Sequence, residues 1–416
     1  MRQSAIVDGS AEIAAIFLQG EALFEHEFSV EHGLGTNLAR GRPGLSRVEG
    51  EGPLRGADAY SCRECHHRGG DDGHGELHHR AWLHGDGDRL SSARPRVAPH
   101  LGGVGVIEQL AREITDELRA QRAVARAVAQ STGAPHRALL SSKGLAFGAI
   151  TARPDGTIDA SELRAVSEDL VVRPFGWHGR FATLDAFARG AVEQHIGLDR
   201  PALDSATGEE RPTDEDRDGN HFELTEGAIT SLVTYLRLID VPTVMQPSDP
   251  SMRAAFRRGE SAFERMQCAS CHAPSLALDS TTVTLAERAS GARTMDLITH
   301  NQVPPALDRF DYTSPVRAQL YSDLRRHEMG DELRDVAEDG VSATVFVTRP
   351  LWGLADRGPF YMHDGGARSI DEAIARHGGE ASAARASYQR ASDDERRAVA
   401  VFLLGLRRAP QPRLVP

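Results

Sequence analysis

The sequence predicts a mainly α protein in which one helical unit is used twice, the first copy carrying long insertions. Three observations predict it. Gly20-Glu21-Ala22-Leu23-Phe24-Glu25 stands ahead of one Cys-x-x-Cys-His string, and Gly259-Glu260-Ser261-Ala262-Phe263-Glu264 stands directly ahead of a second. Pro174-Phe175-Gly176-Trp177-His178 is paralleled by Pro359-Phe360-Tyr361-Met362-His363, and an apolar-periodic helix closes each half, at Ala228 to Leu238 and at Arg396 to Leu406. Strand signals are sparse, with Thr344-Val345-Phe346-Val347-Thr348 the one run that reads as β.

Taken along the chain, the first unit spans 12–240, the second spans 250–408, and Val241-Pro242 to Asp249-Pro250 links them. The first is longer because of two insertions. One separates Glu25 from Cys62 and is rich in Gly, Arg and Glu; the other, from about Ala111 to Val172, contains a long Ala/Arg/Glu helix. Leu184 to Arg189 and Ile370 to Arg376 read as matched helices. The last helix follows Ser392, with Glu395 three residues on, which is the pattern of a capping box.

At 416 residues the chain has room for two cores, on a prior of about 100–200 residues per domain. A formal charge of -12 argues against nucleic acid or an anionic membrane surface as partner. No stretch approaches the ~20 apolar residues of a membrane span.

All four cysteines fall in the two strings, Cys62-Arg63-Glu64-Cys65-His66 and Cys268-Ala269-Ser270-Cys271-His272, and none is left for a disulfide. Two thiols at this spacing reach both vinyl groups of one porphyrin, and the imidazole that follows coordinates iron from one face. Zinc would need two more ligands per string, and a redox dithiol gives no reason for His to follow both times. Two covalently bound haem c groups are therefore expected, with His66 and His272 as iron ligands. Such haems are attached outside the cytoplasm, yet Met1 to Asp8 carries no apolar signal region, so a secretory signal is expected outside this numbering.

These residues resemble the di-haem oxidoreductase family, within the bacterial di-haem cytochrome c peroxidase superfamily. Besides the strings and the Gly-Glu-x-x-Phe-Glu pair, Leu351-Trp352-Gly353-Leu354, Pro359 to Gly365 and His377-Gly378-Gly379-Glu380-Ala381 carry the likeness. It covers most of 17–408 and is most specific from Arg349 to Leu406. The resemblance implies two cytochrome c-like domains, a peroxidatic N-terminal haem, a C-terminal haem that passes electrons, and residence in the periplasm. It also implies a small electron-donor protein, a cytochrome c or copper protein, and peroxide as partners.

A haem that only transfers electrons is usually held on both faces, whereas one that activates peroxide leaves a face open. His377 stands where the superfamily places the second ligand of the C-terminal haem, and Gly378-Gly379 would let the chain pass close to a flat cofactor. Met329 is the competing ligand, and an exposed histidine near a helix end is the plain alternative. Superposing Leu184 on Ile370 puts Ala191 where His377 stands, which makes the N-terminal haem the candidate for an open site. Glu193 or His195 is then the candidate acid-base group. His67, His74, His78, His79, His84 and His100 are other groups that could close that face. The superfamily carries a tryptophan between its haems in the segment of Trp177, a relay candidate or else a core aromatic. His178 and His363 occupy matching positions and are expected to make propionate or backbone contacts.

Asp214, Asp216 and Asp218 with Gly219 resemble the start of a calcium loop, although position 12 is Thr225 and the acid Glu226 comes one place late. The expected function is reduction of peroxide with electrons from an external one-electron donor. An electron carrier with both irons six-coordinate, or an enzyme oxidising a protein or organic substrate, remains open, and Ala191 favours an enzyme.

Overall fold

The structure, a computed structural model, describes residues 1–35, 59–70, 73–77, 81–83, 94–203, 210–214, 219–221, 223–244, 246–286, 293–297, 310–311 and 316–407. Two crossed helix pairs frame it. In the first unit the opening helix Ile13–Glu25 packs on the closing helix Glu226–Leu238; in the second, Pro250–Arg265 packs on Asp393–Leu403. The caps are encoded locally: the Asp249 carboxylate accepts from the Met252 amide at 2.9 Å with Pro250 in the first turn, and Ser392 and Glu395 form the capping box.

The shared Gly-Glu-x-x-Phe-Glu motif explains both crossings. A Cβ on Gly20 would stand 2.0 Å from the Ser231 carbonyl oxygen, and one on Gly259 would stand 1.9 Å from that of Ala398. Each crossing therefore requires glycine. One helical turn later, Phe24 and Phe263 reach the histidines of the two strings, at ring-centroid distances of 6.0 Å to His66 and 6.3 Å to His272.

A loop-and-helix unit recurs at a constant interval of 186 residues. Phe175 bridges Phe181 as Tyr361 bridges Ala367. Thr183 caps Leu184–Ala191 as Ser369 caps Ile370–Ala375. The left-handed turn residues Gly176 (φ 77°) and Gly179 (φ 73°) recur as Met362 (φ 69°) and Gly365 (φ 68°). This shifts the expected register by one residue, so that Trp177, and not His178, corresponds to His363. Pro174 and Pro359 align as letters, but at the interval of 186 the backbone does not pair them.

Strand content exceeds the expectation: 41% of the described chain is helical and 16% is strand, so the class is mixed and not mainly α. The largest addition is the hairpin His136–Ser142 with Leu145–Ala152, turned at Lys143 and Gly144 and packed on the Val104–Thr132 helix. The Thr344 to Thr348 run does form a strand, Val345–Val347, antiparallel to Arg326–Glu328.

One apolar core joins the first helix pair to Leu276, Leu278, Leu320 and Leu324 from the second half of the sequence. A second core lies around Phe256, Phe263, Tyr321 and Phe402. A third, small cluster gathers Trp177, Leu333 and Phe346.

Candidate functional site

Each Cys-x-x-Cys-His string lines a cavity, of about 1830 Å³ in the first unit and 1440 Å³ in the second, both volumes including the open mouth. Each string is a single helical turn, α at Cys62–Cys65 and 3-10 at Cys268–Ser270, and one bond recurs: the His66 amide donates to the Cys62 carbonyl at 3.1 Å and the His272 amide to that of Cys268 at 3.0 Å. Nδ1 of His66 donates to the Gly73 carbonyl at 3.2 Å and Nδ1 of His272 to that of Tyr321 at 3.0 Å. That leaves Nε2 as the lone-pair nitrogen in both. Burial pushes each imidazole down to about 4, so both are neutral, the form that binds a metal.

Burial pushes the Cys62 thiol up to about 12 and the Cys268 thiol up to about 11, opposite in direction to the lowered thiol of a reactive dithiol. Among the described residues the one convergent trio of metal-ligand atoms is Cys271, Asp323 and His327, and both ring nitrogens of His327 already face carboxylates.

His377 ends the Ile370–Ala375 helix and lines the second cavity. Its Nδ1 donates to the Ala373 carbonyl at 2.8 Å, and its ring centroid lies 6.5 Å from that of His272. Met329 lines the same cavity. The glycines after His377 serve a neighbour other than a flat cofactor. A Cβ on Gly378 would stand 2.6 Å from the Met329 carbonyl oxygen, and one on Gly379 (φ 49°) 2.2 Å from that of Glu328.

In the first cavity Ala191 stands on the wall, as its repeat position requires, and the helix then loosens into a π turn over Val192–Ile196. That turn separates the two acid-base candidates. Gln194 and His195 line the cavity, whereas Glu193 lies off it and pairs with Nε of Arg200 at 3.3 Å. Of the other histidines, His67 lies off the cavity and donates to the Glu64 carbonyl at 2.9 Å. His100 uses both ring nitrogens on backbone, the Trp352 carbonyl at 2.6 Å and the Gly102 amide at 3.0 Å. His78, His79 and His84 lie outside the described residues.

The two cavities share one wall. Trp177, Arg349, Leu354 and Arg357 line both, and the guanidinium carbons of Arg349 and Arg357 stand 4.9 and 5.3 Å from the centroid of the Trp177 ring. Burial pushes Arg349 down to about 10; burial and the neighbouring Arg349 push Arg357 down to about 9. Nε2 of His74, Nε1 of Trp352 and Nε of Arg357, all lining the first cavity, are buried without a protein partner. An apolar slot with an imidazole on its wall and a cationic, unsatisfied polar edge fits a porphyrin carrying two carboxylates.

His178 donates to the Val345 carbonyl at 2.6 Å, the backbone contact expected of it. It and His363 converge on Asp335, whose carboxylate pairs with Arg96 at 2.5 Å. Neither this network nor the buried arginine pair was visible in the sequence, because nothing local distinguishes a buried Arg from the many exposed ones. At the calcium candidate Asp214 accepts from the Gly219 amide at 3.3 Å, while Asp216 and Asp218 lie outside the described residues. Thr225 caps the closing helix and the buried Glu226 is paired with Arg189, so neither is free to complete a calcium loop.

Residues 213–406 match the family model described as "Di-haem oxidoreductase, putative peroxidase", which bears out the resemblance over the C-terminal half. No curated protein matches the chain. Among solved structures, hydrazine synthase of Kuenenia stuttgartiensis, pressurised with xenon, is 19% identical over 43% of this chain and 55% of its own. At a TM-score of 0.26 that likeness bears on neither fold nor activity. No helix among the described residues is long and apolar enough to cross a membrane.

Proposed function

We propose that this chain is a two-haem c-type oxidoreductase that reduces peroxide to water with electrons from an external one-electron donor outside the cytoplasm. The observation that carries the proposal is the pair of cavities, each with its own Cys-x-x-Cys-His string, meeting at the single wall of Trp177. The assigned domains are 12–240 for the peroxidatic haem and 250–408 for the electron-accepting one. Cys62, Cys65, Cys268 and Cys271 would hold the two groups as thioethers.

Bound haem supplies a one-electron redox iron with a coordination position that a peroxide oxygen can occupy. The chain's residues divide the remaining work. His66 and His272 present Nε2 because backbone carbonyls fix their other nitrogen. His377 lies near His272 and would close the second site to exogenous ligands, while Ala191 supplies no donor atom at the corresponding position of the first. His195, on the cavity wall, would take a proton from one peroxide oxygen and return it to the other, as cleavage to two waters with two electrons and two protons requires. Trp177 offers a polarisable path between the cavities.

The test is a spectroscopic titration of the purified chain. Pyridine haemochrome analysis should give two c-type haems. EPR of the half-reduced protein should show one iron that turns high-spin and reacts with peroxide. Two low-spin irons indifferent to peroxide would identify an electron carrier instead.

A further inference from the structure

We infer that Glu380 is a positioning residue for the C-terminal centre: with His327 and Asp323 it straps the segment carrying His377 to the segment carrying Cys271, and so fixes the separation of His272 and His377. The inference rests on the proposed ligand role of His377. Glu380 belongs to His377-Gly378-Gly379-Glu380-Ala381, the motif whose histidine lines the second cavity and whose glycines pack against the backbone of Met329 and Glu328.

The strap can be followed bond by bond. The Asp323 amide donates to the Cys271 carbonyl at 2.9 Å, so the carboxylate of Asp323 is anchored beside the haem-attachment string. Asp323 Oδ2 meets Nε2 of His327 at 2.9 Å, and Nδ1 of His327 meets Oε2 of Glu380 at 2.8 Å. Oε1 of Glu380 accepts from the Glu328 amide at 3.0 Å, and the Gly378 amide donates to the Met329 carbonyl at 3.1 Å. The segment after His377 is thereby bound at Gly378 and at Glu380 to Met329 and Glu328, which directly follow His327.

The glycines are what permit this. Any side chain at Gly378 or Gly379 would collide with backbone oxygens of Met329 and Glu328, so the loop could not lie this close and Glu380 could not reach His327. Arg325, the other cation at Asp323, bonds the same carboxylate at 2.8 Å and holds its orientation. Asp323 is fully buried and His327 nearly so, while the Glu380 side chain is 55% exposed. The strap therefore runs from a fixed floor to the surface, with Glu380 as its outer and replaceable end.

The experiment uses the intact two-haem protein and carbon monoxide as probe. Binding to the reduced C-terminal haem must wait for His377 to leave, and its slow kinetic phase reports how firmly His377 is held. Glu380→Ala should speed that phase at least tenfold and shift the midpoint potential of that haem. Glu380→Gln, which keeps an acceptor for the Glu328 amide but loses the charge facing His327, should fall between. The thermal midpoint should barely move, which separates positioning from general stability. A slow phase within twofold of the parent in both variants overturns the inference, and if the alanine variant loses haem the glutamine variant decides alone. His377→Ala provides the distinction: a slow phase that survives it shows that the ligand assignment itself is wrong, whatever Glu380 does.

Discussion

The imidazoles of His272 and His377 face each other with ring centroids 6.5 Å apart and planes inclined by 52°. Two metal–nitrogen bonds of about 2.0 Å, each extended by about 1.15 Å from Nε2 to the ring centre, sum to about 6.3 Å. On the proposed reading that spacing suits two imidazoles sharing one iron, with their Nδ1 atoms already committed to the carbonyls of Tyr321 and Ala373. His377→Ala should therefore convert the oxidised C-terminal haem from low-spin to high-spin, while Met329→Ala should leave it low-spin. A near-infrared charge-transfer band in the parent that disappears in Met329→Ala would reverse the assignment.

The π turn after Ala191 makes a sharp prediction for the first cavity. His195→Gln should lower peroxide turnover by tenfold or more, about 1.4 kcal/mol of barrier, with the C-terminal haem spectrum intact. Glu193→Gln should cost less than threefold, since Glu193 is engaged with Arg200 off the cavity. Equal losses in steady-state assays would remove the distinction.

The helix crossings predict a stability effect remote from either haem. Gly259→Ala forces a Cβ against the Ala398 carbonyl, which is backbone and cannot swing away. The cost should be at least about 2 kcal/mol, a fall of roughly 4–8 °C in Tm for a domain of this size. The exposed Ser261→Ala in the same helix should stay within about 0.5 kcal/mol. Differential scanning calorimetry compares the two directly.

His327 predicts a pH dependence. Burial would lower it, but its bonds to Asp323, to the Cys271 sulfur and to Glu380 outweigh that and push it up to about 11. A pKa raised in the folded state stabilises fully below the unfolded value of about 6.5 and loses that contribution as pH rises toward the folded one. The Tm advantage of the parent over His327→Gln should thus be largest near pH 6 and shrink by pH 10. An advantage that grows with pH would mean that the imidazole is neutral in the fold.

What was legible in the sequence was whatever repeats or carries a fixed chemical spacing. The Cys-x-x-Cys-His strings and the paired Gly-Glu-x-x-Phe-Glu motifs recur in the structure, and the capping box at Ser392 starts the last helix, which runs Asp393–Leu403 and stops short of Leu406, a residue paired as strand with Val244; the glycine of the motif gains a reason in the crossing at Ser231 and Ala398. The hairpin around Lys143 and Gly144 was missed because its strands are rich in Ala and Ser and alternate weakly, leaving the long helix before it as the stronger periodic signal. The pairing of Trp177 with His363 was displaced by one because two prolines aligned in letters while the left-handed turns, Gly176 with Met362, align in backbone. A non-glycine in a left-handed conformation leaves no mark that a sequence reader can see. Long-range networks such as Arg96 with Asp335 and Glu338 join residues more than two hundred positions apart, beyond the reach of any local pattern.

The guanidiniums of Arg349 and Arg357 both lie over the Trp177 ring, and this bears on how it survives its surroundings. Cations over the π cloud stabilise the neutral indole and repel the positive hole left when it gives up an electron. A hole on this ring would therefore be short-lived, refilled before water or oxygen could add to the ring and destroy it. On the proposed reading the wall between the cavities conducts in transit without storing oxidising power, so a chain that meets peroxide at every turnover keeps its own wire from burning.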